Sequence, residues 1–371
     1  MPLRTWAEVS LTRISENFRA IQRAVGDGVV VSPVVKANAY GHGASRVAQC
    51  LDAVGARWLA VSTSEEGVEL RDAGIRADIL VMGDFLPFES ETIVDYRLTP
   101  VIHSLARLRD FDRLAASTGR PLRWHLKVDT GMGRLGCHAK AADLIDAVRQ
   151  ARHAKLEGLM THFASASDFA SSQTAEQVTA FDVVRAALRS AGIDPPLMHL
   201  ASSGPIAHGL QAGWGSMVRP GLLLYGYAPP ASGNAPALVM NTEPALTWKA
   251  AIVEVRDIEV GESVGYGACW RATRATRLAV LAAGYADGVP ARLANRGKVI
   301  IEGMPVPIIG AVSMDLTCVD VTECAAAERG IAATLLGPGC DAAEMARDAG
   351  LDPRAILCGM GRRVSRIYTS Q

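Results

Sequence analysis

The sequence predicts an α/β chain: an N-terminal (β/α)8 barrel of the TIM type followed by a mostly-β C-terminal domain. Apolar strand candidates begin near Val29, Trp58, Asp78, Leu98, Arg123, Leu156, Leu197 and Met217, with helical patterns or polar loops between most of them. Eight such units over roughly 230 residues match the size of a barrel of this kind. The texture changes at Ala228-Pro229-Pro230-Ala231-Ser232-Gly233-Asn234-Ala235-Pro236, which reads as a linker or crossover. Beyond it, short β-rich segments replace the alternation. The expected domains are 1–235 and 236–371. A doubly wound sheet is the competitor, but no Gly-x-Gly-x-x-Gly follows the first strand.

Each element follows from its own pattern. Leu11, Ile14, Phe18, Ile21 and Val25 recur at spacings of three and four, giving an amphipathic helix. The run Val29-Val30-Val31-Ser32-Pro33-Val34-Val35 suits a strand buried on both faces, and Gly41 and Gly43 break it before the next helix. Ala44 to Val54, Leu105 to Ala116, Ala141 to Arg152 and Glu176 to Ala191 keep the helical period. In the second domain, Leu246 to Val255, Leu278 to Ala282, Lys298 to Ile301, Pro307 to Val312 and Leu316 to Val321 read as strands between glycine or charged turns.

Lys plus Arg and Asp plus Glu are both 38, so no global basic field argues for nucleic acid. Seven cysteines without a Cys-x-x-Cys pair fit reduced thiols in a cytoplasm better than a disulfide framework, and no metal-ligand spacing appears. Arg4, Glu8, Arg13, Glu16 and Arg19 interrupt any secretory hydrophobic run. Nothing approaches the ~20 uninterrupted apolar residues of a membrane span. The expectation is a soluble, cytoplasmic protein that binds neither nucleic acid nor membrane.

Lys36 is the residue that carries chemistry. In Val34-Val35-Lys36-Ala37-Asn38-Ala39-Tyr40-Gly41-His42-Gly43 a β-branched run delivers one lysine to a turn at a strand's C-terminal end, the usual active-site mouth of a barrel. That is the layout of a Schiff-base lysine. By position alone a solvated loop lysine explains it as well.

The same block resembles the cofactor-lysine motif of alanine racemases, pyridoxal-phosphate enzymes that interconvert L- and D-alanine. Further matching pieces follow in order: Ala7-Glu8-Val9-Ser10-Leu11, Lys127-Val128-Asp129-Thr130-Gly131-Met132-Gly133-Arg134-Leu135-Gly136, and Met217-Val218-Arg219-Pro220-Gly221. Val264-Gly265-Tyr266-Gly267, Gly284-Tyr285-Ala286-Asp287-Gly288 and Ser313-Met314-Asp315 complete the set, so the resemblance spans nearly the whole chain.

Removing an α-proton leaves a carbanion that needs an electron sink, which pyridoxal phosphate supplies and side chains do not. The resemblance implies that Lys36 holds the cofactor's aldehyde and then acts as one proton-transfer base, and that Tyr266 enters a partner subunit's site as the second. It places Arg219 against the ring nitrogen, His162 on the ring, and Tyr40, Ser203, Gly221 and Leu222 at the phosphate. Arg134 would meet the cofactor's phenolic oxygen and the substrate carboxylate, with Lys127 carbamylated to orient it. Met314 would offer its backbone amide to the substrate carboxylate from the partner chain, and Tyr285 would narrow the entrance for a small amino acid. His162 and Arg219 are expected to supply the positive charge that a phenolic base needs. A homodimer with shared sites is implied.

Four positions depart from the family pattern. Ser10 stands where an aspartate is common, Ser313 where a cysteine is common, and Arg354 near a usual tyrosine, while Ala291-Arg292 appears in transposed order. A broader serine racemase and a related barrel-type decarboxylase are the alternative enzymes. A non-catalytic pyridoxal-phosphate carrier would resemble the barrel alone, whereas this chain adds a β-rich region.

Overall fold

The structure, a computed structural model, describes residues 3–369. It divides into two compact units: residues 14–39 with 44–243, and residues 3–13 with 40–43 and 244–369.

In chain order, β1 (Thr5–Ser10) belongs to the second unit, and the first unit's elements begin with α1 (Leu11–Val25), β2 (Val30–Val31), α2 (Ala44–Ala53), β3 (Trp58–Val61), α3 (Ser64–Asp72) and β4 (Asp78–Val81). Then come α4 (Ser90–Asp95), β5 (Thr99–Ile102), α5 (Leu105–Thr118), β6 (Leu122–Lys127), α6 (Ala141–Gln150) and β7 (Ala154–Met160). α7 (Gln173–Ser190), β8 (Leu197–His199), α8 (Ser203–Ala207) and β9 (Met217–Val218) finish the series. Strands β3 to β8 lie side by side in chain order, all parallel, and β2 pairs with β9 in parallel.

Two seams close the ring. Val34 bridges Ala60, with Val35 N–H donating to Ala60 O and Ala60 N–H to Pro33 O. On the other side Arg219 N–H donates to Ala201 O, and His199 bridges Gly215. Eight strands thus form the expected barrel, and with side chains pointing inward from every strand its interior is a packed core. Leu59, Leu80, Val101 and Leu159 are fully buried, but so are His125 and His199, which an aliphatic filling does not need.

The turn after Lys36 is strained. Ala37, Asn38, Ala39 and Tyr40 all lie at φ between 51° and 53°, a left-handed conformation that costs non-glycine residues roughly 1–2 kcal/mol each. Tertiary contacts impose it. Glu66 Oε1 accepts from Ala37 N–H at 2.7 Å and Asn38 Oδ1 from Ala44 N–H at 2.8 Å, while Ala39 N–H donates to Val35 O at 2.8 Å. Glu66 is itself fixed by the capping box of α3, where Thr63 Oγ1 accepts from its N–H.

The second unit is built on β10 (Leu246–Ile258), whose alternating burial marks a strand with one face on a core. β11 (Ser263–Val264), β12 (Trp270–Arg271), β13 (Thr276–Leu281), β14 (Lys298–Ile301), β15 (Met304–Pro307), β16 (Thr317–Asp320) and β17 (Ala332–Leu336) follow. α9 (Ala342–Ala349), α10 (Pro353–Cys358) and β18 (Ser365–Thr369) end the chain's described part. β1 lies between β10, antiparallel, and β18, parallel, so the N-terminal strand belongs to this sheet.

The strand expected over Pro307 to Val312 is displaced. β14 and β15 form a hairpin across Glu302 and Gly303, both at positive φ as a two-residue turn requires. Past Pro307 only Ile308 makes a bridge, to Val319, and Gly310 at φ 73° turns the chain away. Among the described residues no helix is long and apolar enough to cross a membrane.

Candidate active site

The C-terminal ends of the barrel strands bring eight of the expected residues into one unit. Lys36 follows a strand end held on three sides: Val34 N–H donates to Pro220 O and Val35 N–H to Ala60 O, both at 2.9 Å, and Tyr225 Oη donates to Val34 O at 2.9 Å. Its amine projects from a backbone with little freedom.

Arg219 is 2% exposed and, among the described residues, has no carboxylate beside it. Nη1 donates to His199 Nδ1 at 2.9 Å and His199 O at 2.8 Å; Nη2 donates to Thr161 O at 2.9 Å, Leu200 O at 3.1 Å and His162 Nδ1 at 3.2 Å. Burial pushes the guanidinium down to about 9, still above neutrality, so the cation persists. Its Nε makes no hydrogen bond among the described residues. The ordinary surface ion pair is therefore excluded as its role.

Burial, then the charges of Arg219, Lys127, Arg134 and Lys36, push His162 down to about 3. This corrects one expectation: His162 is a neutral imidazole and supplies no positive charge to a phenol. Lys127 is 5% exposed, and burial with the charges of Arg134 and Arg219 pushes its amine down to about 8. Arg134 is exposed in the loop after β6. That loop is shaped by Asp129, whose Oδ1 accepts from Gly131 and Met132 N–H and Oδ2 from Gly133 N–H, at 2.9–3.0 Å. Against the upward push of burial, these donors hold its carboxyl below the ordinary range. Gln177 ties the loop to the end of β7, donating to Thr130 Oγ1 and to His162 O.

At the β8 and β9 ends, Ser203 is buried and its Oγ accepts from Gly221 N–H at 3.0 Å and Leu223 N–H at 3.2 Å. Leu222 is buried between those amides and opens a short 3₁₀ turn. These neutral donors sit in a unit where Lys36, Lys127, Arg134 and Arg219 act electrostatically on one another's surroundings with Asp129 as the acidic neighbour of Lys127. An excess of positive charge, a lysine amine, and an arginine Nε–H that makes no hydrogen bond among the described residues fit a phosphorylated aldehyde carrying a heteroaromatic nitrogen.

The remaining expected residues fall in the second unit. Tyr266 is 78% exposed, Met314 52% and Tyr285 48%. Tyr40 is buried, which pushes its phenol up to about 12. Arg363 clamps two of the loops: its Nε and Nη2 donate to Asp287 at 3.0 and 2.9 Å, and its Nη1 to Asp315 at 2.7 Å. Asp287 also accepts from Gly284 N–H.

Two departures have local explanations. Ser10 Oγ accepts from Arg13 N–H at 3.2 Å at the start of α1, the capping task an aspartate performs equally well. Arg354 pairs with Asp352 at 2.7 Å on the first turn of α10, and its charge acts on Tyr40. Sequence reasoning missed His199, His125, Gln177 and Asp129. A lone histidine in an apolar strand reads as core, whereas Asp129 stood inside a quoted motif and its Gly-x-Gly surroundings were the available signal.

Fold and site together define a barrel enzyme whose strand-end lysine sits in a cationic mouth. The model of the alanine racemase N-terminal domain matches residues 9–229, and that of the alanine racemase C-terminal domain matches residues 245–368. Alanine racemases of Halothermothrix orenii and Synechocystis sp. are each 38% identical to this chain, covering 99% and 98% of it and 97% and 98% of their own lengths. An alanine racemase from a D-cycloserine-producing Streptomyces lavendulae superposes with a TM-score of 0.93 at 32% identity, covering 100% of this chain and 98% of that one. The Bartonella henselae alanine racemase with covalently bound pyridoxal phosphate gives 0.89 at 30% identity, covering 99% and 100%. The chain belongs to the alanine racemase family.

Proposed function

We propose that this protein interconverts L- and D-alanine with pyridoxal phosphate as its cofactor, supplying D-alanine for cell-wall peptidoglycan, and that it works as a cytoplasmic homodimer. The observation that carries the reading is Arg219, a buried cation fixed by carbonyls and imidazoles with Nε–H left over, in the same barrel mouth as Lys36. The relatives' names and the pyridoxal phosphate in the Bartonella henselae structure support it.

Bound pyridoxal phosphate supplies the electron sink that makes an amino acid's α-proton removable. Lys36 would hold the cofactor and then take or return that proton at the α-carbon on one face. The partner's Tyr266 would serve the opposite face, and its exposure in a single chain suits such a loan. Arg219 would donate Nε–H to the ring nitrogen. Because an arginine does not surrender its proton, it withdraws little charge into the ring, which favours returning the proton to the α-carbon over transamination or decarboxylation.

His162 would lie on the ring as a neutral imidazole. Ser203, Gly221 and Leu222, with Tyr40, would hold the phosphate through hydroxyl and backbone donors. Arg134 would orient the substrate carboxylate, steadied by a carbamylated Lys127; the neutral amine fraction that a value of about 8 provides is the form that takes up carbon dioxide. Met314, lent by the partner chain like Tyr266, would add its backbone amide to the substrate carboxylate, and Tyr285 would exclude larger side chains. Serine differs from alanine by one hydroxyl, worth only ~1–3 kcal/mol in such a pocket, so slow serine turnover is expected.

The test is L-to-D conversion across several amino acids with wild type and Lys36→Ala. Wild type should racemise alanine fastest, and Lys36→Ala should lose both the yellow cofactor band and the conversion. A wild type that takes the cofactor but leaves alanine's α-proton unexchanged in deuterated water contradicts the reading.

A further inference from the structure

We infer that the barrel interior carries a one-way polar chain, hydrogen-bonded from Arg219 to His199 to His125 and ending on the facing carboxylate of Glu157, which makes His125 and Glu157 positioning residues for Arg219. The inference rests on the reading of Arg219 as the ring-nitrogen partner.

A guanidinium has only donors, so His199 Nδ1, 2.9 Å from Arg219 Nη1, must present a lone pair. Burial, with the nearby charge of Arg219, pushes His199 well below its ordinary value, so it is neutral and its proton sits on Nε2. That Nε2 lies 2.8 Å from His125 Nδ1, which must accept in turn. His125 then carries its proton on Nε2, which faces Glu157 Oε2 at 3.8 Å. Neither of these two buried atoms has a hydrogen-bond partner, so a small rotation completes both. The far end is anchored by charge: Glu157 Oε1 accepts from Arg123 Nη1 at 3.1 Å, and that nitrogen also donates to Asp78 at 3.2 Å.

The strands make room for this chain. A Cβ at Gly158 would meet His125 Nδ1 at 2.5 Å, so glycine is what admits the imidazole to β7's inner face. Trp58 packs on the other side, ring centroids 5.3 Å apart. Arg123 and Asp78 are partly exposed near the strands' N-terminal ends, and Arg219 is buried near the C-terminal ends. The chain therefore crosses the barrel from one mouth to the other. Buried polar groups at this density are costly unless every member is satisfied.

The direction matters because the alternative tautomers oppose it. Without the Glu157 carboxylate, a proton on His125 Nδ1 would face the His199 Nε2–H; relief by moving that proton to Nδ1 would set it against Arg219. The guanidinium would then have to shift from its carbonyl acceptors. A comparable loss follows when the aspartate of a Ser-His-Asp triad becomes asparagine and the wrong histidine tautomer is selected.

The experiment uses the full chain labelled with ¹⁵N-histidine. In cofactor-free wild type, His125 and His199 should both give Nε2–H tautomer patterns; Glu157→Gln should introduce Nδ1–H patterns, and Glu157→Asp should keep the wild-type pattern. With pyridoxal phosphate, Glu157→Gln should lose roughly ten- to a hundred-fold in kcat at near-unchanged KM, the range seen for outer partners of ligating histidines, and Glu157→Asp should recover most of it. A folded Glu157→Gln with wild-type tautomers and kcat overturns the inference. If Glu157→Gln does not fold, Gly158→Ala strikes the His125–His199 bond directly, and wild-type kcat there overturns it equally. A wild type that neither binds the cofactor nor racemises would instead contradict the proposed function, leaving the tautomer measurement to stand by itself.

Discussion

In the barrel unit Arg219, Ser203 and Lys127 are locked in, 2%, 4% and 5% exposed, whereas in the β-rich unit Tyr266, Met314 and Tyr285 are 78%, 52% and 48% exposed. The first group is fixed by the same bonds that fold the barrel, with Arg219 tied to three carbonyls and two imidazoles. The second group rests on shaped backbone, not on packing; Gly265 and Gly267 lie at φ 74° and 69° on either side of Tyr266. An exposed tyrosine on so specific a turn contributes little to its own unit. Substitutions in the buried part of the barrel mouth should therefore alter electrostatics and stability together, while those on the exposed β-rich loops should alter chemistry alone.

The largest test of that contrast is Tyr266→Phe. Loss of one of two acid-base groups should lower alanine racemisation by roughly 10²- to 10⁴-fold, while the melting midpoint stays near wild type because surface changes fall within about 0.5 kcal/mol. A large fall in the midpoint would break the comparison. Next comes Glu66→Ala, which removes the acceptor of Ala37 and Ser62 N–H. The left-handed turn then loses an anchor, and denaturant unfolding should show about 1–3 kcal/mol less stability, with cofactor retention reduced. Equal stability would mean the turn is held elsewhere.

The smallest effect is a pH slope. Burial and neighbouring charge lower Lys127 from an ordinary 10.5 to about 8. Between those values the unfolded chain binds more protons than the folded one, so the cofactor-free protein should gain stability as pH rises through the window, and the penalty is complete below it. Lys127→Met should flatten that rise in thermal melts taken at several pH values; an identical slope in both proteins would remove Lys127 as its source.

The barrel was legible because its strands are short apolar runs buried on both faces and its helices keep an amphipathic period, as in Leu11–Val25. The β-rich unit was less so. β1 pairs with β10 and β18, which lie far along the chain, and a six-residue Thr-Trp-Ala-Glu-Val-Ser stretch gives little warning of partners so distant. Helices α9 and α10 carry local start signals, Asp341 capping Glu344 N–H and Asp352 before Pro353, in a stretch that holds no family motif. In the site, Lys36 and Arg219 stood in motifs, while His125, His199 and Glu157 are scattered over three strands whose register only the folded barrel supplies. The neutrality of His162 was likewise beyond a sequence reading, since it arises first from burial and then from four cations that converge in space.

If an amine from one chain works opposite a phenol from another, two inactive variants should complement each other when mixed. Lys36→Ala and Tyr266→Phe, unfolded and refolded together, should recover about a quarter of wild-type activity, the share expected when random two-fold pairing leaves one intact site in half the dimers. Activity no greater than the sum of the separate variants, with mixed dimers shown to be present by mass, would contradict it.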